Sequence, residues 1–337
     1  MRRFTPRDRL GSARIMSRRD PVRLALWAGA LIVVTLAAAM RPDALPAAGG
    51  ATLQPFVALA AIILGAALAD RLGFFRLLAG VLVPERVNRW ASVAALLAFT
   101  ALLSALVNLD VAVVVAMPVA LRVGRREALG AGHVAAAVAL TANGASFLLP
   151  TSNVTNLLLI QGERLSALGY VGGSWLPWLL VTALTVMALS VWPGHRGMGR
   201  ARAVEARLSA RAAFELAPVF LAVSGIRALL GSGIEFHGPL VEKFAAGSVL
   251  ASTVNNLPAA AAVRATGTPG LWAAILAMSI GPNLFITGSV ATLICRRIAR
   301  DAGGRLGVWR FSSMGLALVP AQFAAATLGL RIVGVLR

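Results

Sequence analysis

The side chains with chemistry to offer in this chain are neutral and few. Asn108, Asn143, Ser152, Asn153, Asn156, Asn255, Asn256, Asn283, Ser289 and Thr292 present amides and hydroxyls inside stretches that are otherwise apolar. Such groups both donate and accept without fixed charge, which suits a small polyhydroxylated solute, a carboxylate or a dehydrated sodium ion, and does not choose between them. Asp110 is the one acid deep in an apolar run. A carboxylate is costly there and marks ion or proton paths. Desolvation favours its neutral form, as a proton-coupled carrier needs, although backbone amides at a helix start could hold it for structure alone.

Enzyme signatures are scarce. The chain has no HExxH, and its lone lysine, Lys243, cannot complete a P-loop. One cysteine, Cys295, excludes an internal disulfide and any CxxC pair, so no metal or cofactor is expected. The stretch "GASF" around Ser146 is similar to the GxSG of intramembrane serine hydrolases, with His133 or His237 as base, but Phe147 stands where the second glycine belongs.

The polar residues lie in a chain of 337 residues that is 58% hydrophobic and 13% charged, against about 25% charged in a soluble domain. This composition implies an all-α polytopic membrane protein. The net charge of +19 falls in short clusters between apolar runs. That is the pattern of membrane loops and excludes the continuous basic face of a nucleic-acid binder.

Helical spans of ~20 residues are expected in the runs 22–40, 53–70, 133–160, 170–192, 212–230, 271–295 and 311–330. The first 21 residues carry seven arginines, read as a cytoplasmic tail, with a long signal peptide as the other reading. Following arginine from there, run 91–121 begins after Arg89 and ends at Arg122, Arg125 and Arg126, so both ends want the cytoplasm. Run 244–263 has weakly charged flanks at both ends and wants the opposite side. Each is expected to be a re-entrant helical hairpin, the first with its tip at Asn108–Asp110. Arg227 and Arg264, near outer ends, suit either snorkelling or substrate steering.

The order of span, hairpin, interrupted span and span occurs twice with opposite orientation. It predicts an inverted repeat: a tail 1–21, an extra span and external loop 22–52, a first repeat 53–192, a basic linker 193–211 and a second repeat 212–337. The tips read "SALVNLD" (104–110) and "STVNNLP" (252–258), and the interrupted spans read "NGASFLLPTSNVTN" (143–156) and "GPNLFITGSVAT" (281–292). Unwound backbone inside a membrane lines a cavity or is buried in protein, and secondary transporters use it that way. Four half-helix N-termini turned inward would add positive potential favouring an anion.

In order and spacing, "GFFRLLAGVL", "SALVNLDVAVVVAMPVAL", "TANGASFLLPTSNVTNLLL", "STVNNLPAAA" and "GPNLFITGSVATLICRRIAR" resemble the arsenite permease family. That family lies within the ion transporter superfamily, which includes divalent anion/sodium symporters and sodium/proton antiporters. The resemblance implies export of arsenite or antimonite in exchange for protons, by alternating access around a midplane site of a bacterial plasma membrane protein. It implies Asn108 and Asp110 at one tip, Asn255 and Asn256 at the other, and Ser152, Asn153, Asn156, Gly281, Asn283, Gly288, Ser289 and Thr292 in the broken helices. It is compatible with a homodimer and with an ATPase partner. The chain departs from the family at Leu109, where a second asparagine is common, at Asn283, where a lysine is frequent, and at Phe285–Ile286, where a Thr-Pro pair is frequent. A sodium/proton antiporter or a coupled carboxylate carrier of the same superfamily is the alternative expectation.

Overall fold

The computed structural model describes residues 21–84, 87–161, 163, 165–192, 217–231 and 233–336. Most of the basic tail and the basic linker lie outside them. Fourteen α-helices are described: α1 Pro21–Met40, α2 Ala44–Arg71, α3 Phe74–Leu82, α4 Arg89–Leu106, α5 Leu109–Arg126, α6 Ala131–Gly144, α7 Val154–Leu159, α8 Ala167–Val191, α9 Ala217–Leu230, α10 Leu240–Val254, α11 Asn256–Ala262, α12 Gly267–Ile280, α13 Val290–Asp301 and α14 Val308–Ile332. Among the described residues there is no strand, only one isolated bridge between Ile234 and Val263. α2, α4, α8 and α14 are each long and apolar enough to cross a membrane, and the chain is an all-α polytopic membrane protein.

The helices exist because every backbone polar group in hydrocarbon must be satisfied within its own segment. Four tolerate an internal proline, at Pro55, Pro118, Pro177 and Pro320. α2 starts eight or more residues before the run that predicted it, inside the stretch read as an external loop; only Arg41–Asp43 separate it from α1. α3 was not foreseen as a separate element. It is short, with Phe75 and Ala79 buried and Phe74, Leu77 and Val81 exposed.

Both hairpins close on themselves. Arg126, at the end of α5, donates to the Ser92 hydroxyl at 2.6 Å and to the Pro84 carbonyl, so the two ends of α4–α5 lie on one face. In the second hairpin the Ile234 N–H donates to Ala262 at 2.7 Å, and the Arg264 N–H returns to Ile234 at 2.9 Å. Those bonds bring the exit of α11 back beside the entrance of α10. The first tip falls at Val107–Asn108, and Asp110 is already in the first turn of α5, slightly beyond the expected bend.

The interrupted spans break where the sequence predicts. α6 and α12 each have 14 residues, or about 21 Å of the ~30 Å hydrocarbon thickness, before the chain unwinds. All of α6 is buried, as is α12 from Gly270 onward. α4 packs on α6, and α10 on α12, repeating one contact in both halves. Around this centre α8 lies against α14, and α9 lies between α1 and α2. A Cβ on Gly329 would stand 2.6 Å from the Pro177 nitrogen, so α8 and α14 touch backbone to backbone.

Candidate functional site

The four polar stretches form four helix starts with one local design. Asn108 Oδ1 accepts from the Asp110 N–H at 2.9 Å, Asn153 Oδ1 from Thr155 at 3.2 Å, Asn255 Oδ1 from Leu257 at 3.3 Å, and Ser289 Oγ from Ala291 at 3.2 Å. Each is an N-cap, a short polar side chain satisfying a donor that the helix itself leaves open. These residue types therefore start helices inside the membrane without unpaired amides.

Each tip is then tied to the break of its own repeat. Asn108 Nδ2 donates to the Thr151 carbonyl, and Asn255 Nδ2 to the Thr287 carbonyl, at 3.3 and 3.2 Å. Thr151 and Thr287 each stand two residues before the capping residue of the broken helix, so the bonds are equivalent in the two halves. Ser104 donates to Ala142 and Ser252 to Gly281, both at 2.7 Å. Ser152 donates to Ala105 at 2.5 Å, and the Asn256 N–H to Gly288 at 2.9 Å.

Many of the carbonyls freed by unwinding also receive donors. In the first break Trp178 Nε1 reaches Ala145, Tyr170 reaches Phe147, Ser174 reaches Leu148, and Asn156 Nδ2 reaches Ser146. Three of those donors come from α8. The second break is served largely from its own hairpin, with Thr287 Oγ1 returning to Ser252. Gly288 is required there, because a Cβ would meet the Pro282 carbonyl at 2.6 Å.

The repeats join through a fully buried polar chain. Asn143 Nδ2 donates to Asn283 Oδ1 at 3.0 Å and to Thr292 Oγ1 at 3.2 Å; Asn283 Nδ2 donates to the Leu140 carbonyl at 3.1 Å and reaches Gln322, which donates to Thr185 at 2.8 Å. Asn283, standing where the arsenite permease pattern has a lysine, is thus bound on both ends of its amide. Gln322 and Thr185 escaped the sequence reading. The signal was a single glutamine in the middle of the apolar run 311–330.

The asparagines, serines and threonine singled out from sequence fall in the linked tips and breaks, where most are engaged with protein, whereas Arg227 and Arg264 lie apart from them in a pocket near the opposite face. Asn108, Asn153 and Asn255 each cap a helix and donate elsewhere. Asn256 Nδ2 reaches the Met278 carbonyl. The buried oxygens left without a partner among the described residues include Asn143 Oδ1, Asn156 Oδ1 and Thr155 Oγ1. Asp110 is half-buried, and among the described residues no side chain bonds or pairs with its carboxylate. Leu109 is 3% exposed and packs as core.

Chain direction makes the four starts converge. α5 and α13 pack together and run toward the arginine-rich face, while α7 and α11 pack together and run toward the opposite face. The start of α5 is bonded to the stretch before α7 through Asn108, the start of α11 to the stretch before α13 through the Asn256 N–H, and Asn143 reaches Thr292 in the first turn of α13, so these starts lie near one another, each with partial positive charge. An anion is the ligand that such an arrangement attracts.

A nucleophilic serine is not assembled. Ser146 donates to the Asn143 carbonyl at 2.8 Å and accepts from Asn153. His133 lies at the other end of α6, about 20 Å away, with its Nδ1 against Arg310 at 2.9 Å. His237 is exposed on the loop before α10.

Residues 14–295 match the family model described as citrate transporter. No curated protein matches the chain at a significant level. The matched span covers most of the sequence, and the chain belongs to the citrate transporter family of the ion transporter superfamily.

Proposed function

We propose that this member of the citrate transporter family is a proton-coupled secondary carrier of a small polycarboxylate, with citrate the first candidate. The observation that carries the reading is the meeting of four capped helix starts with Asp110 as the single nearby carboxylate. Carboxylate oxygens would be received by backbone amides at the starts of α5, α7, α11 and α13. Hydroxyl groups would find Asn143 Oδ1, Asn156 Oδ1 and Thr155 Oγ1, the acceptors left open by the protein.

In this reading Asn108, Asn153, Asn255, Asn256 and Ser289 hold the tips and starts in position, and Ser152 ties the first break to α4. Asn283 and Thr292 brace one repeat against the other. Asp110 takes up a proton with the solute and releases it on the other side; its negative charge would otherwise repel the substrate. Alternating access moves the hairpins and broken spans against the layer of α1, α2 and α9. A bacterial plasma membrane location with a cytoplasmic N-terminus belongs to the same proposal, resting on the arginine distribution.

Export of arsenite or antimonite is the second reading, supported by the resemblance of the tip and break motifs to arsenite permeases. It fits less well with Asn283 and Phe285 in place of the lysine and threonine of that pattern. The test is uptake of labelled citrate into proteoliposomes under a proton gradient, a sodium gradient or neither, with arsenite run in parallel. Proton-driven citrate uptake is the expected result. Arsenite flux without citrate flux would overturn the polycarboxylate reading, and sodium-driven uptake indifferent to pH would remove Asp110 from its role.

A further inference from the structure

A polar pocket lies near the face opposite the arginine-rich loops, between the ends of α7, α9 and α11. Its volume is about 320 Å³, at the lower end of small-molecule sites. Arg227 and Arg264 both line it. Arg227 is half-buried in the last turn of α9, and its Nη1 donates to Gln161 Oε1 at 2.6 Å. Gln161 in turn donates through Nε2 to the Ala51 carbonyl, which fixes the guanidinium from behind.

A guanidinium has five N–H donors, and among the described residues only one of those on Arg227 is used. Arg264 has no side-chain hydrogen bond and neither arginine has a carboxylate partner among the described residues. Arg264 is held at the mouth by its own N–H bond to Ile234. A third cation stands at the rim: Arg41 Nη2 would be 3.1 Å from a Cβ on Gly231. The opposing charge in the lining is Glu163, exposed and not ion-paired among the described residues. Two fork-shaped cations with open donors in a pocket of this size match a ligand with two or more carboxylates.

We propose that this pocket is a second anion site, distinct from the helix starts in the interior, in which Arg227 and Arg264 receive a soluble polycarboxylate as it enters or leaves. The identity of the anion rests on the functional reading above; the site does not. The pocket joins pieces that alternating access would separate, since Arg227 is on α9 and Arg264 follows the second hairpin. A bound dianion would bridge them.

Because the lone cysteine is buried, replacing it leaves a clean background for a reporter thiol placed in the pocket. Ala265→Cys, in the pocket lining, is introduced together with Cys295→Ala, and maleimide labelling is followed in phosphatidylcholine nanodiscs with citrate or sulfate. Both anions should slow labelling, and Asn256→Ala should leave that protection in place. Arg227→Gln with Arg264→Gln should raise the protecting concentration at least tenfold. Arg264→Gln alone, at an exposed residue with no described partner, should raise it severalfold without disturbing the fold. Unchanged protection in the double variant would overturn the proposal. So would loss of protection in Asn256→Ala, or protection by phosphatidylglycerol in the disc with none from citrate. Protection by sulfate in a protein that fails to transport citrate would leave this site standing and remove the transport reading.

Discussion

Asn255 is where the architecture of the second tip can be tested most sharply. Its φ of 82° and ψ of 145° lie in a region that L side chains rarely adopt, at a cost of roughly 1–3 kcal/mol. Its side chain makes two bonds there, to the Leu257 N–H and the Thr287 carbonyl. Asn255→Ala keeps the backbone cost and loses both bonds, about 1 kcal/mol for the cap and about 1 kcal/mol for the link. Where the ordered tip is the binding-competent state, a loss of about 2 kcal/mol weakens apparent affinity by up to about thirtyfold. Asn255→Gly loses the same bonds but relieves the backbone, and that relief exceeds the roughly 0.5–1 kcal/mol of extra chain entropy glycine brings. Glycine should therefore do less harm than alanine, with a KM for citrate in proteoliposomes between those of wild type and the alanine variant. An alanine variant with the wild-type KM, or a glycine variant worse than alanine, would refute the reasoning.

Three further outcomes follow from particular contacts. Asp110→Asn should abolish proton-driven net uptake while leaving citrate/citrate exchange measurable, because exchange needs the solute site and no proton cycle; loss of both would make Asp110 a binding or folding residue. Gly315→Ala should lower folded yield and melting temperature sharply, since its Cβ would meet the Asn283 carbonyl at 1.8 Å, whereas Gly29→Ala, with nothing within 4 Å, should leave both near wild type. Ile234→Cys with Val263→Cys should form a disulfide under mild oxidation, because the two positions form a bridge at the hairpin mouth; two cysteines labelled only from opposite sides of the membrane would disprove the closed hairpin.

The sequence by itself determined the local quantities. Apolar run length placed the spans, because hydrocarbon thickness sets how many residues a helix needs. Arginine at both ends of 91–121 implied a hairpin, because arginine-rich flanks favour the cytoplasmic side and two such flanks place both ends on one face. Asparagine and serine inside apolar runs marked the tips and breaks, because such side chains are rare in hydrocarbon; that each of them caps a helix was a local signal left unread, although capping is settled within three residues. The family resemblance was sound at the level of the superfamily, while arsenite as the solute depended on motifs that the citrate transporter match does not single out. The start of α2 at Ala44 was hidden, since Gly, Pro and Thr there look like a loop until α9 packs beside them.

Only the tertiary structure decided which donor meets which carbonyl. Nothing near Asn143 in the chain announces Asn283, 140 residues away, or that Gln322 and Thr185 continue the same network. The asparagines looked like ligands for a solute because their types permit it. The fold instead spends most of their bonding capacity on its own unwound backbone, since an unpaired amide in a membrane interior costs more than a side chain set aside to satisfy it. What remains open, Asp110 and a few buried oxygens around four converging helix starts, is a property of packing that no stretch of sequence contains.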